Sequence, residues 1–183
     1  MSPFSESRVD SSENYFALFG LPVAYALDAQ VLSPIWRQLQ QQYHPDRFSH
    51  DDTAQQQAVL MSSRINAAHE ALRDPVRRAR YLLELAGHGI DNESTTVSDT
   101  DFLMAQMDLR EQLDDATSID GLEGLRDEVG QWQDGLQREF TIDYAEADWV
   151  EAQDTVRKMQ FMQRLLSEIN RHIERLEDEQ DLY

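Results

Sequence analysis

Along nearly the whole chain, apolar side chains recur at steps of three and four residues, in long stretches separated by short polar segments. That period is helical, and a stretch that keeps it cannot also offer the two-residue alternation of a strand. The β-branched residues are scattered, and no hairpin dipeptide sits between alternating runs. Ala, Leu, Gln, Glu and Arg, all good helix formers, dominate the rest. An all-α protein is predicted. Its 183 residues allow one domain or two small ones, each with a real core.

Composition removes several classes of function. The chain has no cysteine, which excludes disulfides and thiolate metal sites. The net charge of −19 is uneven: residues 1–90 carry 10 acids against 8 Lys/Arg, and residues 91–183 carry 25 against 8. Such a surface repels phosphate backbones, so no nucleic-acid partner is expected. The asymmetry suggests two modules with different partners. Residues 1–13 are polar and read as a disordered N-terminus, without the apolar stretch of a signal peptide or the Arg-rich character of a transit peptide. No apolar run approaches membrane-spanning length, so a cytoplasmic protein with no membrane partner is expected.

Seven helices can be placed from the pattern. A short one lies in NYFALFG, closed by Gly20. The next runs from Asp28 or Ser33 to Tyr43; either Ser33 caps a helix with Pro34 in its first turn, or a longer helix passes through Pro34. Asp51 or Asp52 opens a third, reaching about Arg73 with Ala54, Ala58, Met61, Ile65, Ala68 and Leu72 inward. Asp74-Pro75 starts a fourth, ending near Gly87. Residues 87–98 are turn-rich and polar, the best boundary in the chain. Beyond it, Ser98 and Asp101 stand at capping-box spacing before a fifth helix. A sixth covers roughly 119–140, with Leu122, Leu125, Val129, Trp132, Leu136 and Phe140 as its stripe. A seventh covers about 146–179 on a seam of Val156, Met159, Met162, Leu166, Ile169 and Ile173. The last three would form a bundle or an antiparallel coiled coil.

Between the second and third helices lies QQYHPDRF. Pro45 cannot continue a helix, so His44 and Asp46 flank an exposed turn in fixed geometry. An ionised Asp46 is acceptor-only and suits a bidentate arginine on a partner, while Pro45 lowers the ordering cost of binding. This favours contact over catalysis, and no second catalytic cluster, metal-ligand spacing or cofactor motif accompanies it. His69 and His172 read as solvated flanks.

A short aromatic helix (NYFALFGLP), the turn YHPDRF and then RINAAHEALRDPVRRARYLL together resemble a J domain. With TDFLMAQMDLREQLDD and DTVRKMQFMQRL beyond residue 98, residues 14–183 resemble the HscB family of iron–sulfur co-chaperones. The resemblance implies a J domain over 14–87, a linker over 88–98 and a three-helix scaffold-binding domain over 99–183. It further implies a monomer without cofactor or enzymatic activity of its own. Such a protein would deliver an IscU-type iron–sulfur scaffold to the DnaK-like chaperone HscA and stimulate its ATPase. Chaperone contact would fall to His44, Pro45 and Asp46 with Arg37 and Arg47. J domains place a basic helix before the turn; here Gln38, Gln40, Gln41 and Gln42 stand there, and Arg64, Arg77, Arg78 and Arg80 would supply other basic surface.

The fifth helix has two apolar faces. At about 100° per residue, Phe102, Ala105, Leu109, Leu113 and Ala116 cluster on one side, while Leu103, Met104, Met107, Asp108, Glu111 and Asp115 lie opposite. A helix packed through one face has no need of large apolar residues on the other unless something covers them. Methionine suits an adaptable contact, and the acids suit a basic partner. These six positions match the scaffold-binding surface of the HscB family, as does Phe161, expected off the seam of the last helix as an exposed anchor. Two other readings remain: a general J-domain protein with other clients, and a small metal-dependent enzyme built on His44 and Asp46.

Overall fold

The computed structural model describes residues 13–90 and 99–181. The remainder of the expected N-terminal segment and linker, and Ser98 with its proposed capping role, lie outside these residues. Among the described residues the fold is all-α, and the chain divides into two compact units between Leu85 and Ala86.

In the first unit, α1 (Tyr15–Leu18) is capped by the Asn14 side chain, which accepts from the Ala17 amide. It ends at Gly20, whose φ of +65° is costly for any residue with a Cβ. Helix α2 (Ala29–Gln42) takes the longer of the two possible starts, with Asp28 as its cap and Pro34 inside it. Pro34 withdraws one backbone donor without ending the helix. Helix α3 (Asp52–Arg73) is capped by Asp51, which accepts from the Thr53 and Ala54 amides. Asp74 does the same for Val76 and Arg77 at the start of α4 (Pro75–Leu85), where Pro75 sits at a position with no intrahelical donor to lose. Phe16, Leu32, Ile65, Leu72, Leu82 and Leu83 are fully buried, each worth about 1.5–3 kcal/mol of transfer free energy. Ala54 and Met61 only flank this core.

The second unit contains α5 (Thr100–Asp115), α6 (Ile119–Glu146) and α7 (Trp149–Asp181). Turns of a few residues force α6 to run back along both neighbours. The pairs Asp99–Lys158 and Arg110–Glu168 show that α5 and α7 run parallel. The cap of α5 is Asp99, which accepts from the Asp101 and Phe102 amides at 3.0 Å. Helix α6 continues nearly two turns past Phe140 to a left-handed Ala147 (φ 58°).

Two expected core positions are displaced. Trp132 is exposed, and the neighbouring Gln133 is buried in its place. Seven residues bring Gln133 within about 20° of Phe140 around the helix, whereas Trp132 lies about 80° away. On α7, Leu165 is fully buried and Leu166 half-buried. Helix α7 faces two helices rather than one. A second buried row, Thr155, Lys158, Met162, Leu165 and Ile169, therefore runs beside Ala152, Val156 and Met159.

Candidate functional site

The first unit presents the His-Pro-Asp turn. Tyr43 ends α2, its amide donating a hydrogen bond to the Leu39 carbonyl, and Pro45–Phe48 form a single 3-10 turn before Asp51 opens α3. His44 is the cap of that turn: its Nδ1 accepts from the Asp46 amide at 3.3 Å, which leaves the proton of the neutral ring on Nε2. The Asp46 carboxylate lies 3.6 Å from the same nitrogen and is 87% exposed, and the His44 side chain is 55% exposed. Both polar groups are open to a partner. Arg37 and Arg47 are also exposed, but Arg47 donates to the carbonyls of Gln41 and Gln42, satisfying the last turn of α2.

Behind the turn, a polar network joins α2 to α3. Trp36 Nε1 and Gln40 Nε2 both donate to Asn66 Oδ1, at 2.9 and 2.7 Å. Gln40 Oε1 accepts from the Ser62 hydroxyl at 2.9 Å. His69 is no solvated flank: it stacks on Trp36 at 5.0 Å, and burial, with the Arg73 charge, holds its pKa below the ordinary value. Gln40 is therefore a structural link, unlike exposed Gln38, Gln41 and Gln42. The basic surface is also smaller than the arginine count implies. Arg78 is buried, donating to the Leu72 carbonyl at 2.6 Å beside the Tyr25 ring, and Arg77 pairs with Glu70.

In the second unit, α5 buries Phe102, Leu109 and Leu113. Its other side leaves Leu103, Met104 and Met107 38%, 62% and 73% exposed, with Asp108, Glu111 and Asp115 exposed among them. Phe161 is less exposed than expected. It is half-buried, meets the Phe102 ring edge-on at 6.0 Å, and lies beneath the Arg110 guanidinium. No group of three or more His, Asp or Glu among the described residues is placed to hold a metal ion, and none of their helices is long and apolar enough to cross a membrane.

Residues 14–81 match the DnaJ domain, and residues 98–170 match the HSCB C-terminal oligomerisation domain. The co-chaperone protein HscB homolog of Acinetobacter baumannii is 48% identical over 172 residues, covering 93% of this chain and 96% of the relative. The chain belongs to the HscB family of co-chaperones. The homolog from Acinetobacter baylyi is 45% identical over 168 residues, 91% of this chain and 94% of its own. The structure of chaperone HscB from Vibrio cholerae superposes with a TM-score of 0.81 at 36% identity, over 90% of this chain and 99% of that one. Human co-chaperone protein HscB gives 0.84 at 25% identity, over 93% and 92%. This HscB-family chain thus joins an N-terminal J domain to a C-terminal helical domain.

One cluster in the C-terminal domain escaped the sequence. Lys158 Nζ, buried on α7, lies 2.8 Å from Asp99 Oδ2 and 3.4 Å from Asp154 Oδ2, with the Phe102 ring 5.6 Å away. Donation by Lys158, then by the Phe102 amide, holds the Asp99 carboxyl below its usual range. Burial works to lower the Lys158 pKa, but the bond to Asp99 and the Asp154 charge outweigh it and leave it raised. The available signal was a lysine falling in the second apolar row of a helix otherwise filled by Met162, Leu165 and Ile169.

Proposed function

We propose that this HscB-family protein binds an IscU-type iron–sulfur scaffold through α5, delivers it to the DnaK-like chaperone HscA, and stimulates the HscA ATPase through the turn at His44, Pro45 and Asp46. The observation that carries the reading is that each domain leaves uncovered a surface its own packing does not use. In the J domain that surface is the exposed His44–Asp46 pair with Arg37, edged by Arg47, whose guanidinium also serves the end of α2; in the C-terminal domain it is Leu103, Met104 and Met107 with Asp108, Glu111 and Asp115. An acidic rim around adaptable methionines favours a basic, partly apolar client surface. Phe161 supports that face from beneath and offers only part of its ring.

In this reading the protein acts in the cytoplasm as a regulator of a partner ATPase, with no chemistry of its own. The oligomerisation named for the C-terminal family model is then pairing with the scaffold. Two copies of the α5 face would bring Asp108, Glu111 and Asp115 against their own counterparts, a like-charge juxtaposition that opposes self-association.

The test is ATP turnover by purified HscA with this protein and an IscU-type scaffold, added singly and together. Stimulation by the protein alone, rising further with scaffold, is expected. Turnover unaffected by the protein would overturn the chaperone assignment. Sedimentation of the protein with and without scaffold separates a one-to-one complex from self-association.

A further inference from the structure

Three successive amides near the start of α5, leading into its exposed face, all end on one residue. Asp99 Oδ1 accepts from the Asp101 and Phe102 amides, and the Asp99 carbonyl accepts from the Leu103 amide, each at 3.0 Å. The other carboxylate oxygen of Asp99 is held by Lys158 Nζ at 2.8 Å. Lys158 cannot swing away: it is buried in the second row of α7, with Asp154 Oδ2 at 3.4 Å and the Phe102 ring beside it. Asp154 is itself buried, and the Arg157 guanidinium lies 4.0 Å from its Oδ1. The polar link from the first turn of α5 to α7 thus runs through the Asp99 carboxylate, beside the packing of Phe102 on Phe161. A free helix start would fray, because its first amides have no intrahelical acceptors.

We propose that Lys158, acting through Asp99, is a positioning residue that fixes the first turn of α5 and thereby presents Leu103 and Met104 for docking. Lys158 touches no partner. It sets the pose of side chains that do, and so lowers the ordering cost of binding. The inference rests on the proposed use of α5 as the scaffold surface.

The test compares Lys158→Met, Lys158→Arg and Asp99→Asn in the full chain, by amide hydrogen exchange and by titration with a purified IscU-type scaffold protein. Asp99→Asn keeps the capping oxygen but turns an NH2 toward the ammonium, so it breaks the clamp while sparing the cap. In Lys158→Met and Asp99→Asn, exchange at Asp101, Phe102, Leu103 and Met104 should quicken at least about fivefold, the factor set by losing the charge-assisted bond from Lys158 while the cap itself is kept. Exchange at Leu113 and Val129 should stay as it was, scaffold affinity should fall by about the same factor, and Lys158→Arg should restore both. Unchanged exchange in the first turn overturns the clamp, as does a uniform rise through all three helices. Leu103→Ala/Met104→Ala/Met107→Ala serves as the control. If it loses scaffold binding while a loosened Lys158→Met keeps it, the positioning role falls alone. If it too binds normally, α5 is not the scaffold surface, and the exchange data still judge the clamp.

Discussion

The Arg110 guanidinium lies over the Phe161 ring, 5.9 Å from its centroid, and is fastened there by a two-pronged pair with Glu168. Phe161 is therefore enclosed from above by Arg110 and from the side by Phe102, whose ring stands at 82° to it. Truncating it removes packing as well as any contact with a partner. We expect Phe161→Ala to destabilise the C-terminal domain by about 1–3 kcal/mol, less than a fully buried phenylalanine. The triple alanine variant of Leu103, Met104 and Met107 should melt within a degree or two of wild type and lose at least about tenfold in scaffold affinity. Thermal melts and calorimetric titration of both variants check this. Equal stability losses in the two would mean that the α5 face is covered within the fold.

Asp46→Asn concerns the other surface. The carboxylate is 87% exposed, and the bond at this turn that shapes the backbone runs from the Asp46 amide to His44 Nδ1, which asparagine keeps. Folding should be unaffected. Charge-assisted hydrogen bonds are roughly twice as strong as neutral ones, so the variant should stimulate HscA turnover at least about tenfold less than wild type. Full stimulation with an unchanged circular-dichroism spectrum would remove the turn from the mechanism.

The glutamines of α2 divide into two kinds. Gln38, Gln41 and Gln42 are exposed, whereas Gln40 links Ser62 and Asn66 across to α3. Replacing the three exposed residues by lysine should leave stability within about 0.5 kcal/mol and speed association with an acidic chaperone surface, an effect that fades as salt rises. Gln40→Lys should instead cost about 1 kcal/mol, because it removes the acceptor of the Ser62 hydroxyl and one of the two donors to Asn66 Oδ1. Stopped-flow association at two salt concentrations and chemical denaturation measure the two effects. Equal stability of all four single variants would deny Gln40 its structural role.

Helix type and order were legible because long amphipathic stripes and Asp caps act locally: Asp74 caps as its position suggests, and Asp28 and Asp51 are each one of the two candidates the sequence offered. The two-sided character of α5 was legible for the same reason, since helical angle alone separates Leu109 from Met107. What escaped depends on neighbours. Gln133 and Trp132 both border the stripe of α6, and only the packing of its neighbours shows that Gln133 is the buried one; the burial of Leu165 likewise requires knowing that α7 serves two partners. A lysine in an apolar row reads as an exposed stem until its carboxylates are found on other turns; Asp99 lies 59 residues away. Arg78 misled in the opposite sense, because a buried guanidinium and a surface one look alike in sequence.

The Asp99–Lys158 pair should also leave a signature in the pH dependence of stability. The Asp99 carboxyl is held below its ordinary value, first by donation from Lys158 and then by the Phe102 amide, so the folded protein favours its charged form. Its contribution is present in full above the unfolded-state pKa, about 3.9, and is lost as pH falls through that value to the lower folded one. Lys158 is raised, so its share is complete below about 10.4 and is lost only as pH rises through a still higher folded value. Between about pH 5 and pH 9 the pair is intact. Acidification also relieves the repulsion that accompanies a net charge of −19, which affects wild type and variants alike and would mask the pair in any single protein. The informative quantity is the gap between the melting temperatures of wild type and Asp99→Asn, measured at pH 7, 5 and 3 in moderate salt. The gap should favour wild type, hold steady from pH 7 to 5, and narrow sharply by pH 3. A gap that stays constant to pH 3 would assign the effect of the substitution to geometry and exclude the ion pair as its source.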